Sequence, residues 1–269
     1  MIERIDDLNR CTRLEKPAQR IVSLVPSITE TLFAFGAGQR VAGITDYCIR
    51  PAEGTAGKLR VGGAKNIRVE EIISLRPDLV IANAEENQKH QIEELEKAGI
   101  PVFVTFPRTV AGCLKMMRDV AILTGTEPAA EPAVSSIEAE RFLQRSRPRA
   151  SACRVLCPIW KSPYMSINRD TFVDSMIRES GGENIFADDA ERYPKFVLED
   201  VARLQPDVII LPTEPYHFTE SDIEDFEKIG ANVPAVRNGR IHIVEGELLS
   251  WYGPRVARAL RELSALFTW

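Results

Sequence analysis

Aromatic side chains follow several apolar runs of this sequence, at points where a strand is expected to end. They are Tyr47, Trp160, Tyr164, Tyr193 and Trp251. Aromatic residues make up only 7% of the 269 residues, so candidate strand-end loops are enriched in them relative to the whole chain. Flat rings stack on planar ligands and add about 0.5–1.5 kcal/mol per pair beyond the area buried. The pattern predicts a site for a broad planar ligand, although each ring is also a candidate core residue.

The sequence gives little support to metal or nucleophilic chemistry. His90, His217 and His242 lie far apart and form neither an HxH nor an HExxH pair. A transition-metal site would therefore lack its usual imidazole ligands. The sequence also contains no nucleophile elbow, no P-loop and no GxGxxG motif. We expect no resident metal, no permanently bound cofactor and no catalytic residue.

Charge, hydropathy and cysteine content limit the possible partners and location. The chain has 34 basic and 39 acidic residues, so the field expected of a nucleic-acid-binding protein is missing. No apolar run is long enough to span a membrane, and residues 1–16 carry charge where a signal peptide would be apolar. Five cysteines without a CxxC pair indicate free thiols. We expect a cytoplasmic location for the chain as it stands, or a periplasmic or cell-surface one if an export segment has been removed.

An internal duplication predicts the elements that position these residues. VEEIISLRPDLVIA at 69–82 lines up with LEDVARLQPDVIIL at 198–211, and each copy is read as a short helix, a proline stop and a buried strand. Asn83 with Glu86, and Ser221 with Glu224, are expected to cap the helices that follow. Apolar strands are also expected at 20–26 and 154–160. The alternation predicts an α/β fold of two Rossmann-like lobes with parallel sheets.

One long helix is expected to join the two lobes. Pro128 and Pro132 suit its start and Pro148 its stop, with about four turns between them. The predicted domains are an N-terminal lobe at 1–126, a bridging helix at 127–148 and a C-terminal lobe at 149–269. Because ligands of open parallel sheets bind at the carboxyl ends of strands, we expect an inter-lobe cleft lined by those loops. Ser27 is expected at a helix N-cap there, a position that capping alone explains equally well.

The ordered motifs resemble those of a known family. They are RIVSLVPSITETLFAFGAGQRVAGIT at 20–45, VGG at 61–63, the first repeat at 69–82 and GGENIF at 181–186. The sequence resembles the class III, helical-backbone substrate-binding proteins of ABC importers, over about residues 17–266. Members of that family bind cobalamin, ferric siderophores or haem, and the sequence is most similar to the cobalamin-binding branch. The resemblance implies a monomeric, non-catalytic protein that holds a corrinoid in the cleft and delivers it to an ABC permease dimer.

The resemblance also implies individual site residues. Tyr47 falls where the branch places a cleft tyrosine, Tyr193 falls where it commonly has a tryptophan, and Glu247 matches an acidic residue that can hydrogen-bond the amide groups of the ligand. Ala64 is a departure, because the branch has there a tryptophan that covers the corrin. The full set expected to bind ligand is Pro26, Ser27, Tyr47, Gly63, Ala64, Trp160, Tyr164, Tyr193, Glu247 and Trp251.

Two glutamates at the start of the repeats are candidates for permease docking. Glu70 and Glu199 match acidic residues that the family uses, one on each lobe, to meet arginines of the permease dimer. A two-fold permease suits two similar acidic positions. The alternative is that each glutamate only complements the helix dipole, which Glu71 and Asp200 beside them could do equally well.

Other readings of the same residues remain open. A haem receptor could use Tyr47 or Tyr164 as an axial ligand. A ferric-siderophore receptor would need cations, for which Arg108, Lys65 and Arg169 are candidates. A cytoplasmic protein that handles corrinoids or tetrapyrroles on the same fold would explain the cysteines and the charged N-terminus. An enzyme with a Ser-His-Asp arrangement has the least support.

Overall fold

The computed structural model describes residues 1–148 and 152–268, and these form two compact units. The first unit contains residues 1–107, 111–135 and 252–254, and the second contains the other described residues. The boundary predicted at residue 149 lies outside the described residues. The predicted limits of the lobes and of the bridging segment stay a prediction.

The chain up to residue 124 forms a parallel sheet with helices, preceded by a β-hairpin. Its elements are β1 (Ile2–Ile5), β2 (Cys11–Leu14), β3 (Ile21–Ser23), α1 (Pro26–Ala34), a 3-10 turn (Gly38–Arg40), β4 (Val41–Ile44), α2 (Ala52–Thr55), β5 (Leu59–Arg60), β6 (Gly62–Gly63), β7 (Asn66–Ile67), α3 (Val69–Ser74), β8 (Leu79–Asn83), α4 (Lys89–Lys97), β9 (Val102–Thr105) and α5 (Val110–Thr124).

The sheet of the first unit has the strand order β5-β4-β3-β8-β9, and every pair in it is parallel. β8 and β9 are buried at every position, as expected of strands covered on both faces. Val80 and Val104 from these strands pack with Ile72 of α3 and with Ile92 and Leu95 of α4. This core holds the carboxyl ends of the strands at one edge of the unit.

The remaining chain repeats the pattern with a smaller sheet. Its elements are α6 (Glu127–Ser146), β10 (Cys153–Leu156), β11 (Tyr164–Met165), α7 (Phe172–Glu179), β12 (Gly182–Asn184), β13 (Lys195–Phe196), α8 (Leu198–Leu204), β14 (Val208–Pro212), α9 (Glu220–Glu227), α10 (Pro234–Arg237), β15 (Ile241–Val244), α11 (Glu247–Ser250) and α12 (Val256–Phe267). β12, β10, β14 and β15 form a parallel sheet in that order, and β11 pairs with β13 in an antiparallel ribbon. The expected α/β fold with parallel sheets is confirmed.

The two sequence repeats fold into the same local structure. α3 leads into β8 and α8 leads into β14, and each helix is followed by a residue in the left-handed region, Arg76 (φ 48°) and Gln205 (φ 49°). The next residue in each copy is the proline that the sequence analysis identified as the stop. The left-handed residue and the proline together turn the chain from the helix into the strand.

Asp78 and Asp207 occupy equivalent positions in the two copies and make the same kind of backbone contact. The Asp78 carboxylate accepts hydrogen bonds from the amides of Gln19 (2.7 Å) and Arg20 (2.8 Å), and that of Asp207 accepts one from the amide of Arg154 (2.9 Å). The amides of the two aspartates donate in turn to the carbonyls of Arg20 and Arg154. Each aspartate therefore ties the start of the central strand to the strand beside it.

The two predicted helix caps are wrong. The Asn83 carboxamide oxygen accepts from the amides of Glu85 (2.8 Å) and Glu86 (3.2 Å) and closes a turn, so α4 begins only at Lys89. Asparagine favours such local turns as much as helix caps, so the spacing of Asn83 and Glu86 did not identify a capping box. α9 is capped by Thr219, whose amide donates to Asp222 (2.8 Å), and not by Ser221.

Ser27 and the long helix also differ from expectation. α1 begins with Pro26, whose fixed φ suits a first position, so Ser27 lies inside the first turn and is buried. It is not an N-cap. α6 runs for 20 residues and ends at Ser146, two residues before Pro148, so it is longer than the predicted four turns. Pro132 lies within the helix and does not begin it.

We expect Asp78→Ala to lower the free energy of unfolding by about 1.5–3 kcal/mol, because two amides lose a charged acceptor. Asp207→Ala should cost less, since its carboxylate accepts one such bond. Urea unfolding of both variants measures this, with Glu70→Ala as an exposed control. An Asp78→Ala variant as stable as the control would show that the carboxylate does not hold the strands.

Candidate functional site

The first unit places an exposed tyrosine beside a glycine at the carboxyl end of its sheet. Tyr47 follows β4, and its side chain is 64% exposed. A Cβ added to Gly63 would lie 3.5 Å from Cε2 of this ring, so the absence of a side chain there leaves the ring open on that side. Ala64 is held next to them, because its carbonyl accepts from the Asn87 side chain (3.0 Å). Tyr47, Gly63 and Ala64 are therefore brought together as the sequence predicted.

Pro26 and Ser27 lie at the start of α1, directly after β3. The Ser27 carbonyl accepts from the Thr31 hydroxyl (2.8 Å), and its side chain is 3% exposed. The contribution of both residues to binding stays a prediction.

The second unit exposes a pair of aromatic rings after β10 and β14. Trp160 is 41% exposed and makes an edge-to-face contact with Tyr216, with ring centroids 5.9 Å apart. The backbone joins the two loops, because the Tyr216 amide donates to the Ile159 carbonyl (3.3 Å). Tyr216 contacts Phe218, which is buried, at 4.7 Å. The pair is thus anchored to the core and presents the Trp160 ring to solvent.

Tyr164 lies against the core of the second unit. Its ring stacks on Phe196 and meets Phe226 edge to face, both at 5.5 Å between centroids. Its hydroxyl is buried and makes no hydrogen bond within residues 1–148 and 152–268. Burial raises the pKa of this phenol, while the nearby Lys161 ammonium acts in the opposite direction. Most of the ring is already in contact with protein, so its role in ligand binding stays a prediction.

Lys161 is a partly buried cation that the sequence analysis did not identify. Its ammonium donates to the carboxylates of Asp222 (2.5 Å) and Asp225 (2.8 Å). These hydrogen bonds raise the pKa of Lys161 and outweigh the effect of burial. The contact ties the loop after β10 to the first turns of α9. It supports the loop that carries Trp160.

Tyr193 is 40% exposed and has an arginine beside it. The guanidinium carbon of Arg192 is 5.6 Å from the ring centroid, and its Nε is 3.4 Å from the Tyr193 hydroxyl. Asp170 accepts from Arg192 (2.6 Å) and from Arg108 (2.7 Å), so one carboxylate joins two arginines. Arg192 and Asp170 carry no motif that would have marked them in the sequence.

Glu247 and Trp251 lie on one turn of backbone, and an arginine joins their side chains. The Trp251 amide donates to the Glu247 carbonyl (3.1 Å). Arg255 lies 3.4 Å from the Glu247 carboxylate and 5.6 Å from the centroid of the Trp251 ring. The Glu214 carboxyl is also nearby, since burial and the charge of Glu247 together raise its pKa. The acidic and aromatic groups predicted here are brought together, with Arg255 and Glu214 added by the structure.

Glu70 and Glu199 differ from the acidic residues next to them. Glu71 forms an ion pair with Arg68 (2.7 Å), and Asp200 forms one with Arg203 (3.0 Å). Glu70 and Glu199 are both exposed in the first turns of α3 and α8. In the part of the chain that the structure describes, neither carboxylate has an ion-pair or hydrogen-bond partner.

The other candidate cations are bound to nearby acceptors. The Lys65 ammonium donates to the Glu85 carbonyl, and Arg169 pairs with Asp188. No three histidine, cysteine, aspartate or glutamate side chains of the described residues gather closely enough to hold a metal ion. None of the described helices has the length and apolar content needed to cross a bilayer.

Comparison with known proteins defines the class. The sequence profile of the periplasmic binding proteins matches residues 21–247, and the chain belongs to that family. It is 30% identical to a vitamin B12-binding protein of Yersinia pestis over 72% of this chain and 69% of the relative. It is 28% identical to the ABC transporter substrate-binding lipoprotein YvrC of Bacillus subtilis, over 97% of this chain and 83% of the relative. The fold is similar to that of the periplasmic haem-binding protein RhuT of Roseiflexus sp. RS-1 in its apo form, with a TM-score of 0.78 and 29% sequence identity. The match covers 93% of this chain and 98% of RhuT.

These findings confirm the resemblance to substrate-binding proteins that the motifs indicated. They also confirm the expectation of a binding protein and not an enzyme, because the matched family consists of binding proteins.

The cysteines allow a test of the packing around the site. Cys11 is exposed and the other four are buried. Burial raises the pKa of Cys153 to about 11 and that of Cys113 and Cys157 to about 12, and it also raises that of Cys48. At pH 8 these four thiols should stay protonated and react slowly with iodoacetamide.

Intact-mass measurement of the native protein should therefore show one fast modification, which Cys11→Ser abolishes. Two or more fast modifications would contradict the buried packing of the other four thiols.

Proposed function

We propose that this protein is the substrate-binding component of an ABC importer, that it acts outside the cytoplasmic membrane as a monomer, and that its ligand is a cobalamin-like corrinoid. Its family membership and the names of its relatives support this assignment. The observation that carries it is the set of exposed aromatic rings at the carboxyl ends of parallel strands in each unit. Such rings are otherwise expected in the core, where Phe35 and Phe103 lie fully buried.

The polar groups near Trp251 support a corrinoid over other planar ligands. A corrin carries neutral amide side chains, whereas a haem carries two ionised propionates. Glu247 and Glu214 present carboxyl groups, which accept hydrogen bonds from amide N–H groups and repel carboxylates. The two carboxyl groups outnumber the one guanidinium of Arg255 in this region, which favours a ligand with an amide-bearing edge.

Haem is the second candidate, because of one feature of the first unit. The Tyr47 side chain is 64% exposed beside Gly63, and a tyrosine hydroxyl is an established axial ligand of haem iron. A haem held there would have one axial ligand from the protein. The same titration series tests both ligands.

Glu70 and Glu199 are proposed to dock the permease. Their neighbours Glu71 and Asp200 lie in the same first turns and can complement the helix dipole there, so that role does not require Glu70 or Glu199. Exposed carboxylates at two equivalent positions of a duplicated chain suit two equivalent arginines of a dimeric partner.

Removing one exposed ring should weaken ligand binding. We expect Tyr47→Ala and Tyr193→Ala each to raise the dissociation constant for cyanocobalamin about tenfold, since each loses about 1.4 kcal/mol of stacking and burial. Absorbance and calorimetric titrations with cyanocobalamin, cobinamide, haemin and a ferric siderophore measure this.

Phe142→Ala is the matched control, because Phe142 is 71% exposed on α6 and is not part of the proposed site. Tight haemin binding that depends on Tyr47, without corrinoid binding, would replace the corrinoid by haem. Binding of none of the four ligands would overturn the proposed function.

Charge reversal should separate docking from ligand binding. We expect Glu70→Lys with Glu199→Lys to lower cobalamin uptake by cells at least about tenfold, because each reversal places two like charges in the interface. Ligand affinity of the purified variant should stay unchanged. Glu53→Lys, another exposed first-turn glutamate, is the control. Unchanged uptake would favour a cytoplasmic ligand-handling protein that needs no permease.

A further inference from the structure

Two aromatic rings of the second unit, exposed at Tyr193 and partly buried at Trp251, share a feature that the proposed function does not explain. Arg255 lies against the ring of Trp251 and Arg192 lies against that of Tyr193, each with its guanidinium carbon 5.6 Å from the ring centroid. Arginine is well suited to this contact because its planar, weakly hydrated guanidinium stacks on aromatic faces.

Each of these arginines is itself held by a carboxylate. Arg255 lies 3.4 Å from the Glu247 carboxylate, and the two side chains are only 21% and 14% exposed. Arg192 donates to the Asp170 carboxylate (2.6 Å) and also to the Asp170 carbonyl. Ion pairing with carboxylates of the protein therefore restrains both arginines beside the rings without any ligand.

The ends of two consecutive helices place the groups of the Trp251–Arg255 contact. Glu247 is the first residue of α11 and Trp251 ends that helix, while Arg255 immediately precedes α12. The carboxylate, the ring and the guanidinium thus come from the two ends of one short helix and the start of the next. Burial and the charge of Glu247 together raise the pKa of the Glu214 carboxyl, and Arg255 pairs with Glu247.

We propose that Arg255 and Arg192 are positioning residues of the ligand site, which act by holding the rings of Trp251 and Tyr193 in their binding orientation. This inference rests on the proposed function, because it assigns these rings to ligand binding. A mobile ring that must be immobilised on binding loses conformational entropy, and a ring that is already held avoids that cost. Each arginine also occupies part of the ring surface, so a planar ligand can stack only on what the guanidinium leaves open.

A double-mutant cycle tests whether each arginine acts through its ring. We expect Arg255→Met to weaken cyanocobalamin binding about three- to tenfold in the natural sequence and less than about twofold in a Trp251→Ala background. Arg192→Met should behave in the same way with Tyr193→Ala. Arg255→Lys should recover only part of the loss, because an ammonium lacks the planar contact.

The matched control is Arg258→Met on α12, since Arg258 pairs with Glu262 (2.6 Å) and is exposed. It should leave the affinity unchanged. An equal loss from Arg255→Met in both backgrounds would overturn the proposal, because the arginine would then act independently of the ring.

A measurement without ligand separates this inference from the proposed function. In a protein with Trp160→Phe and Trp269→Phe, Trp251 is the remaining tryptophan. Time-resolved fluorescence anisotropy should show a larger fast component after Arg255→Met, with far-ultraviolet circular dichroism unchanged. An unchanged fast component would overturn the positioning role even if corrinoid binds. The anisotropy could instead show that the arginines restrain the rings while the protein binds neither corrinoids nor haemin. That result would overturn the proposed function, and with it the role of the arginines in ligand binding.

Discussion

The contacts of Asp78 and Asp207 with the backbone of the neighbouring strand are the constraint on which the arrangement of each unit depends. Each aspartate immediately precedes a central strand that is buried at every position, and its carboxylate links the start of that strand to the neighbouring strand. A shift of register would move the loops that leave the other end of the sheet, and those loops carry the exposed rings. The parallel arrangement of the strands thus places the aspartate–backbone contacts at their amino ends and the exposed rings at their carboxyl ends.

The duplication of this motif explains why Glu70 and Glu199 are equivalent. Each lies in the first turn of the helix that the aspartate and the left-handed residue connect to the central strand. Each helix also packs into the core of its unit, through Ile72 of α3 and Val201 of α8. The same local structure therefore positions both carboxylates. A chain without a repeat would have to evolve that local structure twice.

Features repeated or periodic in the sequence could be predicted, and contacts between distant side chains could not. The helix, proline and strand order of the repeats was predictable because each step has a strong local signal. Asn83 shows the limit, since a carboxamide near a helix can close a turn or cap the helix and only the buried surroundings decide. Arg255 and Arg192 had no signal at all, because an arginine next to an aromatic residue is common in any chain. Tyr164 was identified correctly as an aromatic residue after a strand, but its packing on Phe196 depends on the pairing of β11 with β13.

The distribution of rings has a consequence for how a planar ligand would be held. The first unit offers Tyr47 beside Gly63 and Ala64, where small residues leave space and supply little contact area. The second unit offers Trp160, Tyr193 and Trp251, two of them with an arginine held by a carboxylate. Since buried aromatic area and restrained geometry both contribute to affinity, most of the binding free energy should come from the second unit.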